Sequence, residues 1–273
     1  MKKNKSLLLS GPYILWMLVF TLIPLGVVGY YALTDPATGA FTWQNIKDLG
    51  AFLPTLGISV WYSLVSAFIC LLLGYPVAYF IAHRGPVAQK LLYMLVMLPM
   101  CMSFLLRTLA WVGLLETNGI INRFLNLLGL GSVTMIGTSG AVILGMVYNY
   151  LPYMILPLYA IIVKIDNRLI EAAEDLGCTP VKVFSKVVLP LSMPGILSGI
   201  TMVFVPAVST FYISQKLGGN GNMLIGDVIE RQFKSAGNPN LGAALSLVLM
   251  LLVFICTGIM NRFGSDEEGG VMV

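Results

Sequence analysis

Charge is what this sequence has least of. Only 10% of its 273 residues are Asp, Glu, Lys or Arg, against 58% hydrophobic, and its mean hydropathy is +0.87. A soluble domain of that length could not cover its surface with so few charges, which excludes a water-soluble globule. Histidine is nearly missing as well: His83 stands alone beside Arg84, so no histidine cluster is available for a metal. The four cysteines, Cys70, Cys101, Cys178 and Cys256, show no C-x-x-C spacing, and three of them lie in apolar runs. Neither a metal site nor a disulfide framework is expected from them. No G-x-x-x-x-G-K-[ST] stretch occurs, so no P-loop can cradle nucleotide phosphates. The nearest stretch, Gly218-Gly219-Asn220-Gly221, lacks the lysine and reads as a flexible loop. No Ser/His/Asp or paired-carboxylate constellation sits in the apolar runs, so catalysis by this chain is not expected.

What the sequence has instead is long apolar runs. Six emerge, at 11–33, 56–82, 91–115, 139–163, 193–213 and 241–261. Each has about 20 residues or more, the length a helix needs to cross a hydrocarbon core of roughly 30 Å, and far more than a tilted barrel strand uses. The expectation is an all-α membrane protein, a six-helix bundle forming one transmembrane domain over residues 1–273. The first run follows a Met1-Lys2-Lys3-Asn4-Lys5 start, but it outlasts the apolar core of a cleavable signal peptide, so it reads as a retained anchor kinked at Pro24. Pro76, Pro99, Pro152, Pro157 and Pro206 are expected to loosen their helices where neighbours re-satisfy the freed carbonyls.

Basic residues orient the bundle, since acids count little in the positive-inside rule. One set of ends collects Lys2, Lys3, Lys5, Arg84, Lys90, Lys164, Arg168, Lys182, Lys186 and Arg262; the other has only Lys47, Arg107, Arg123, Lys216, Arg231 and Lys234. Both termini and the segment 165–190 are therefore expected in the cytoplasm, with loops 34–55, 116–138 and 214–240 outside. This bias accounts for the net charge of +4 without an acidic partner such as nucleic acid.

The most informative stretch is Glu171–Pro190, EAAEDLGCTPVKVFSKVVLP, which places charges and two short helices inside an oily chain. Asp166 or Asn167 can cap a helix over 168–176, and Gly177 supplies the left-handed residue that ends it. Thr179 then starts a second helix with Pro180 in its first position. Phe184, Val187, Val188 and Leu189 offer an apolar stripe to pack on the bundle, and Pro190 and Pro194 break the chain before the fifth run. Ala172 and Ala173 keep the first helix low enough for another protein to approach, while Glu171, Glu174 and Asp175 present carboxylates. Such a pattern is either a docking surface or a plain solvated face.

These residues resemble a known pattern. Glu171-Ala172-Ala173, Gly177 six residues after Glu171, then Leu189-Pro190 and Pro194-Gly195 are similar to the EAA loop of bacterial ABC-importer permeases. The resemblance extends over essentially the whole chain. It implies a type I ABC-importer permease bundle whose cytoplasmic coupling helix, here Glu171, Ala172, Ala173, Glu174, Asp175 and Gly177, docks into a separate ATPase dimer. It implies no cofactor on this chain, ATP–Mg on the ATPase, a homologous second permease subunit, and an external substrate-binding protein at the outer loops in the bacterial inner membrane. More narrowly, VYNYLPYMILPLYA, LPLSMPGI and FYISQKLGGNGNMLIGDVIERQF resemble the B-type permease subunits of spermidine/putrescine importers. Gln215-Lys216 and Asp227 depart from that pattern, so the individual polyamine stays open.

A polyamine path needs carboxylates and aromatic faces, the latter attracting a cation by about 0.5–2 kcal/mol each. The candidates in the half expected to face outward are Trp111, Glu116, Tyr148, Tyr150, Tyr153, Phe211, Tyr212, Asp227 and Glu230. Asp227 is expected at the entry and Glu116 at the gate; the aromatics could equally be interfacial anchors. Arg107 lies inside the third run, where an unpaired charge costs a few kcal/mol or more, so it is assigned to gate structure through pairing with Glu116 or an outer-loop acid. The remaining alternatives are a permease for another small solute, such as phosphonate, sulfate or ferric ion, and a secondary transporter. Inverted repeats and mid-membrane ion-binding carboxylates, the marks of the latter, are not visible.

Overall fold

A computed structural model describes residue 13, residues 15–36 and residues 38–268 of the chain. Among these residues the backbone is helical, with no strand and one isolated bridge, Thr34 to Phe41. Hydrocarbon offers no hydrogen-bond partners, so a chain this apolar must satisfy each peptide group within its own segment, and a helix does so. Contacts divide the described residues into two compact units: those within Met1–Pro54 together with Val228–Leu252, and those within Thr55–Asp227 together with Val253–Val273.

The first unit begins with α1 (Leu15–Ala32), the described part of the expected 11–33 run. The kink expected at Pro24 takes the form of a π-helical stretch, Leu18–Leu22, running into an α-helix that carries Pro24 in its first turn. The wider turn accommodates a residue that has no N–H and whose ring crowds the preceding carbonyl. Two buried amides hold the segment beyond α1. Asn45 Nδ2 donates to the carbonyls of Ala32 (3.1 Å) and Thr34 (2.9 Å), and Asn240 Nδ2 donates to the same Thr34 carbonyl at 2.6 Å.

The second unit holds most of the helices. They are α2 (Leu53–Ala82, within this unit from Thr55), α3 (Pro86–Met97), α4 (Phe104–Leu115), α5 (Ile120–Leu127), α6 (Ser139–Ile162), α7 (Asn167–Asp175), α8 (Pro180–Leu191) and α9 (Met193–Val208). Two further helices, α10 (Ile225–Lys234) and α11 (Pro239–Glu268), follow. Among the described residues five helical stretches are long and apolar enough to span a membrane, and a sixth arises if α8 and α9, bent by 64°, count as one. The helical membrane bundle read from the sequence is thus the architecture observed. Phe68 and Leu72 on α2 and Phe254 and Ile255 on α11 are exposed large apolar side chains, as a lipid-facing surface requires.

α6 and α9 form the central pair of this unit, and small residues explain how closely they meet. A Cβ on Gly195 would stand 3.1 Å from the Pro157 carbonyl oxygen, and one on Gly199 would stand 2.6 Å from Met154 Sδ. Glycines four residues apart lie on one helix face, so α9 offers α6 a groove instead of a ridge. The buried core around the seam includes Cys70, Ala78, Met146, Met154, Leu158, Val203 and Ala207.

Three expectations need correction. The third run, read as one span over 91–115, is two helices: α3 passes into a 3-10 turn at Leu98–Cys101, Met102 and Ser103 are extended, and α4 starts afresh at Phe104. Pro99 removes an N–H and crowds the preceding turn, an effect that hydropathy does not register. The fifth run, read as 193–213, ends as a helix at Val208. The Gly218–Gly221 stretch, read as a flexible loop, lies in a π turn (Ser214–Gly218) followed by a 3-10 turn (Gly219–Gly221), flanked by the fully buried Ile213, Leu217 and Leu224. Asn222 fastens this segment by donating to the carbonyls of Gly137 (2.7 Å) and Gly218 (3.2 Å).

The seam can be tested by filling it. Gly195→Val and Gly199→Val should each lower the thermal stability of the detergent-solubilised protein by about 1–3 kcal/mol, the cost of overpacking a tight contact. Gly57→Ala, in α2 with no atom within 4 Å of the added Cβ, should leave it unchanged or slightly raised.

Candidate functional site

The segment 165–190 folds as an exposed arm of two helices. α7 starts at Asn167, and of the two possible caps it is Asp166 that acts, its Oδ1 accepting from Arg168 N–H at 3.0 Å. At the other end Gly177 has φ +78, Gly177 N–H donates to the Glu174 carbonyl (2.8 Å) and Cys178 N–H to the Ala173 carbonyl (3.1 Å). This paired 5→2 and 6→1 arrangement is a Schellman turn, and the left-handed residue at its centre strongly favours glycine. Pro180 then opens α8 behind an extended Thr179, whose side chain makes no capping bond. Glu171, Ala172, Glu174, Asp175 and Gly177 are exposed and Ala173 is half-buried, so one face offers three carboxylates around a low alanine surface.

Two apolar side chains on this arm escaped the sequence reading. Leu176 is 86% exposed and Val181 76%, on either side of the Gly177 turn. Their signal was an unpaired Leu and Val outside the apolar stripe. That stripe does pack: Val188 is buried, Val187 and Leu189 are half-buried, and the partly exposed Phe184 stands edge-on to Tyr75 (5.4 Å) and Tyr79 (6.1 Å) of α2.

Of the path candidates, the fold brings some together and separates others. Trp111 of α4 meets Tyr148 of α6 edge-to-face at 5.3 Å, and Tyr150 lies 6.3 Å from Tyr153. Tyr212 pairs with Phe104 at 6.3 Å and carries Lys216 Nζ 5.8 Å over its ring, so a cation already occupies one of its faces. Phe211 is exposed. Glu116 caps the end of α4 with its side chain exposed, while its backbone carbonyl accepts from Gly119 N–H (2.7 Å) and from the buried Asn122 (3.1 Å). Glu230 is paired with Lys234 one turn along α10, at 2.6 Å.

Asp227 is not an open entry carboxylate. It is only 4% exposed, and its Oδ2 accepts from Leu224 N–H at 2.7 Å, just ahead of α10. A carboxylate reaching back from the third helical position to the residue before the helix is half of a capping box, and it also suits the positive end of the helix dipole. Arg107 departs from expectation too. It is 6% exposed, and among the described residues it forms no ion pair; its Nε and Nη1 have no hydrogen-bond partner there. Glu116 could not serve, because nine residues of one helix separate the two by roughly 13 Å of rise. On α6 the buried Asn149 Oδ1 likewise has no hydrogen-bond partner among the described residues.

Against known proteins, residues 71–265 match the model of the family described as binding-protein-dependent transport system inner membrane component. The chain belongs to that family. Proteins with similar sequences include the spermidine/putrescine transport system permease protein PotB of Haemophilus influenzae, 40% identical over 90% of each chain. The PotB of Escherichia coli is 37% identical over 87% of this chain and 90% of its own. The inner membrane ABC transporter permease protein YdcU of Escherichia coli is 31% identical over 96% and 90%. Among solved structures, a chain of a bacterial ABC transporter that imports the acidic polysaccharide alginate superposes with a TM-score of 0.76 at 17% identity, covering 97% of this chain and 99% of that one. A chain of the MetNI methionine ABC transporter gives 0.60 at 20%, covering 79% and 95%. The fold is therefore that of ABC-importer permeases, multi-pass proteins of the inner membrane, and a transport subunit is what the family assigns.

The three charged sites separate cleanly in stability measurements on the solubilised chain. Asp227→Ala should cost about 1 kcal/mol through loss of the cap. Glu116→Gln, at an exposed side chain, should change nothing measurable. Arg107→Met should leave the melting temperature unchanged or raise it, since it removes an unpaired buried charge in favour of an apolar side chain of similar length. A clear fall for Arg107→Met would mean that the guanidinium is paired.

Proposed function

We propose that this chain is a transmembrane subunit of an ATP-driven importer of polyamines, spermidine or putrescine, with both termini and the 165–190 arm in the cytoplasm. The observation that carries the polyamine reading is the 40% and 37% identity, over about nine-tenths of the chain, to two permeases named for spermidine and putrescine. The excess of Lys and Arg at the ends that include Lys164, Arg168, Lys182 and Lys186 supports the orientation. Lys2, Lys3 and Lys5 belong to the same count and lie outside the described residues.

In this reading the arm is the ATPase contact. Glu171, Glu174 and Asp175 meet basic groups on a separate ATPase dimer that holds ATP–Mg, Ala172 and Ala173 allow close approach, and Leu176 and Val181 supply apolar contact at the tip. A homologous second permease completes the pore, and an external binding protein delivers substrate at the outer loops. The path through this subunit starts at the exposed Glu116 and passes the Trp111–Tyr148 pair, where a primary ammonium finds a carboxylate and then aromatic faces. Tyr153 continues the aromatic lining. Phe211 and Tyr212 serve as flanking aromatics, and Glu230 is neutralised by Lys234. Arg107 sets a positive field behind the aromatics, which suits a gate more than a binding site for a cation.

Two measurements test this. In membrane vesicles carrying the full complex, Gly177→Val should abolish most ATP-driven uptake at equal subunit levels, because a β-branched residue cannot hold φ near +78 without strain. Normal uptake would remove the arm from the coupling role. Glu116→Gln should raise the half-saturation concentration for radiolabelled spermidine and putrescine severalfold, by an amount that shrinks as salt is added. Failure of the wild-type complex to take up either polyamine would end the polyamine reading.

A further inference from the structure

α8 joins α9 through a single residue, Ser192, at a bend of 64°. The junction has no slack: Ser192 N–H donates to the carbonyls of Val188 (3.0 Å) and Leu189 (3.2 Å), and its own carbonyl accepts from Ile196 N–H at 3.0 Å. A one-residue bend between two helices is nevertheless where a rotation costs least, because no continuous run of helical bonds crosses it. What stiffens it comes from another helix. Tyr75 of α2 places its hydroxyl 2.7 Å from Ser192 Oγ, with Ser192 fully buried and Tyr75 nearly so. Ser192 has one hydroxyl proton and directs it to the Leu189 carbonyl at 2.9 Å, so the Tyr75 hydroxyl is the donor to Ser192.

A second contact lies on the same face of α2. Tyr79, one helical turn beyond Tyr75, shares with it the ring of Phe184 in the middle of α8. The arm is therefore held at two points, by an aromatic ring along its length and by a hydrogen bond at its elbow. α2 is itself seated on α6, where a Cβ on Gly74 would stand 3.1 Å from Met154 Cγ. A load applied at the arm's tip thus reaches α9 only while the elbow keeps its angle.

We infer that Tyr75 is a coupling residue, a latch that holds the α8–α9 elbow rigid through its hydrogen bond to Ser192 so that movement of the arm is transmitted to α9. This rests on the reading of the arm as the ATPase contact. Tyr75 touches neither nucleotide nor solute; it acts by positioning Ser192. Without the bond α8 turns about Ser192, ATP is hydrolysed, and α9 follows less often.

The test is the ratio of spermidine imported to phosphate released, in proteoliposomes holding the complete complex. Tyr75→Phe removes one oxygen and keeps the ring against Phe184. The ratio should fall roughly two- to tenfold, the range that one hydrogen bond corresponds to, while assembly stays at wild-type levels and the melting temperature drops by no more than about a few degrees. Ser192→Thr, which keeps a hydroxyl, should retain a near-normal ratio. The double variant Tyr75→Phe, Ser192→Ala should fall no further than Ser192→Ala alone, since that change already removes the acceptor of the Tyr75 bond along with its own bond to the Leu189 carbonyl. An unchanged ratio in Tyr75→Phe, or a fall that merely follows loss of assembled complex, overturns the latch. Gly177→Val run in parallel separates the failures: if it couples normally, the arm reading is wrong, and if it uncouples while Tyr75→Phe does not, the latch alone is wrong.

Discussion

Every peptide group in this chain that lies in hydrocarbon must find its hydrogen-bond partner inside the protein, and the rest of the structure depends on that constraint. It turns the long apolar runs into helices. It also decides where helices can stop. The breaks at Leu98–Ser103, at Ser192 and at Ser209–Phe211 are short, each giving way within a few residues to another helical turn, and the 213–225 segment is packed with buried apolar side chains and fastened by Asn222. In the 213–225 segment irregular backbone is tolerated because buried protein side chains surround it.

The same economy explains the polar residues in the second unit. Ser59 and Ser63 return their hydroxyls to carbonyls one turn back, and Ser59 Oγ also accepts from Ile225 N–H, at the first position of α10. Asn122 satisfies its amide on Glu116 and Val133. Tyr75 and Ser192 satisfy each other. Against this background Arg107 stands out, a buried cation whose Nε and Nη1 lack partners among the described residues. Exceptions of this kind concentrate at working parts of proteins, because a merely structural charge would have been paired or replaced.

The arm works by a division of labour between stiffness and exposure. Its tip shows acids, alanines and two bare apolar side chains to solvent, and a Schellman turn at Gly177 fixes their geometry without burying them. Its base is buried against α2 through aromatic rings and one short hydrogen bond. The proposed coupling role needs both properties, and they occupy opposite ends of a stretch of about two dozen residues.

Much of this was legible in the sequence. Charge scarcity and run length determined a helical membrane bundle, because the cost of burying peptide groups and charges in lipid does not depend on tertiary detail. Asp166, Gly177 and Pro180 determined the arm, because caps, left-handed turns and first-turn prolines are local. The contacts at a distance were not legible. Whether Pro99 breaks a span while Pro76, Pro152, Pro157 and Pro206 stay within their helices depends on which neighbours take up the freed carbonyls. That Asp227 is a buried cap and Glu116 an exposed acid depends on what folds over each, since the two carboxylates are chemically alike. The meeting of Tyr75 with Ser192, 117 positions apart, and of Gly195 and Gly199 with α6 belongs wholly to packing. The sequence by itself determined that the apolar runs are helical and how the 165–190 arm turns, and only the tertiary structure decided where those runs break and which polar groups are satisfied, because both depend on partners remote in the chain.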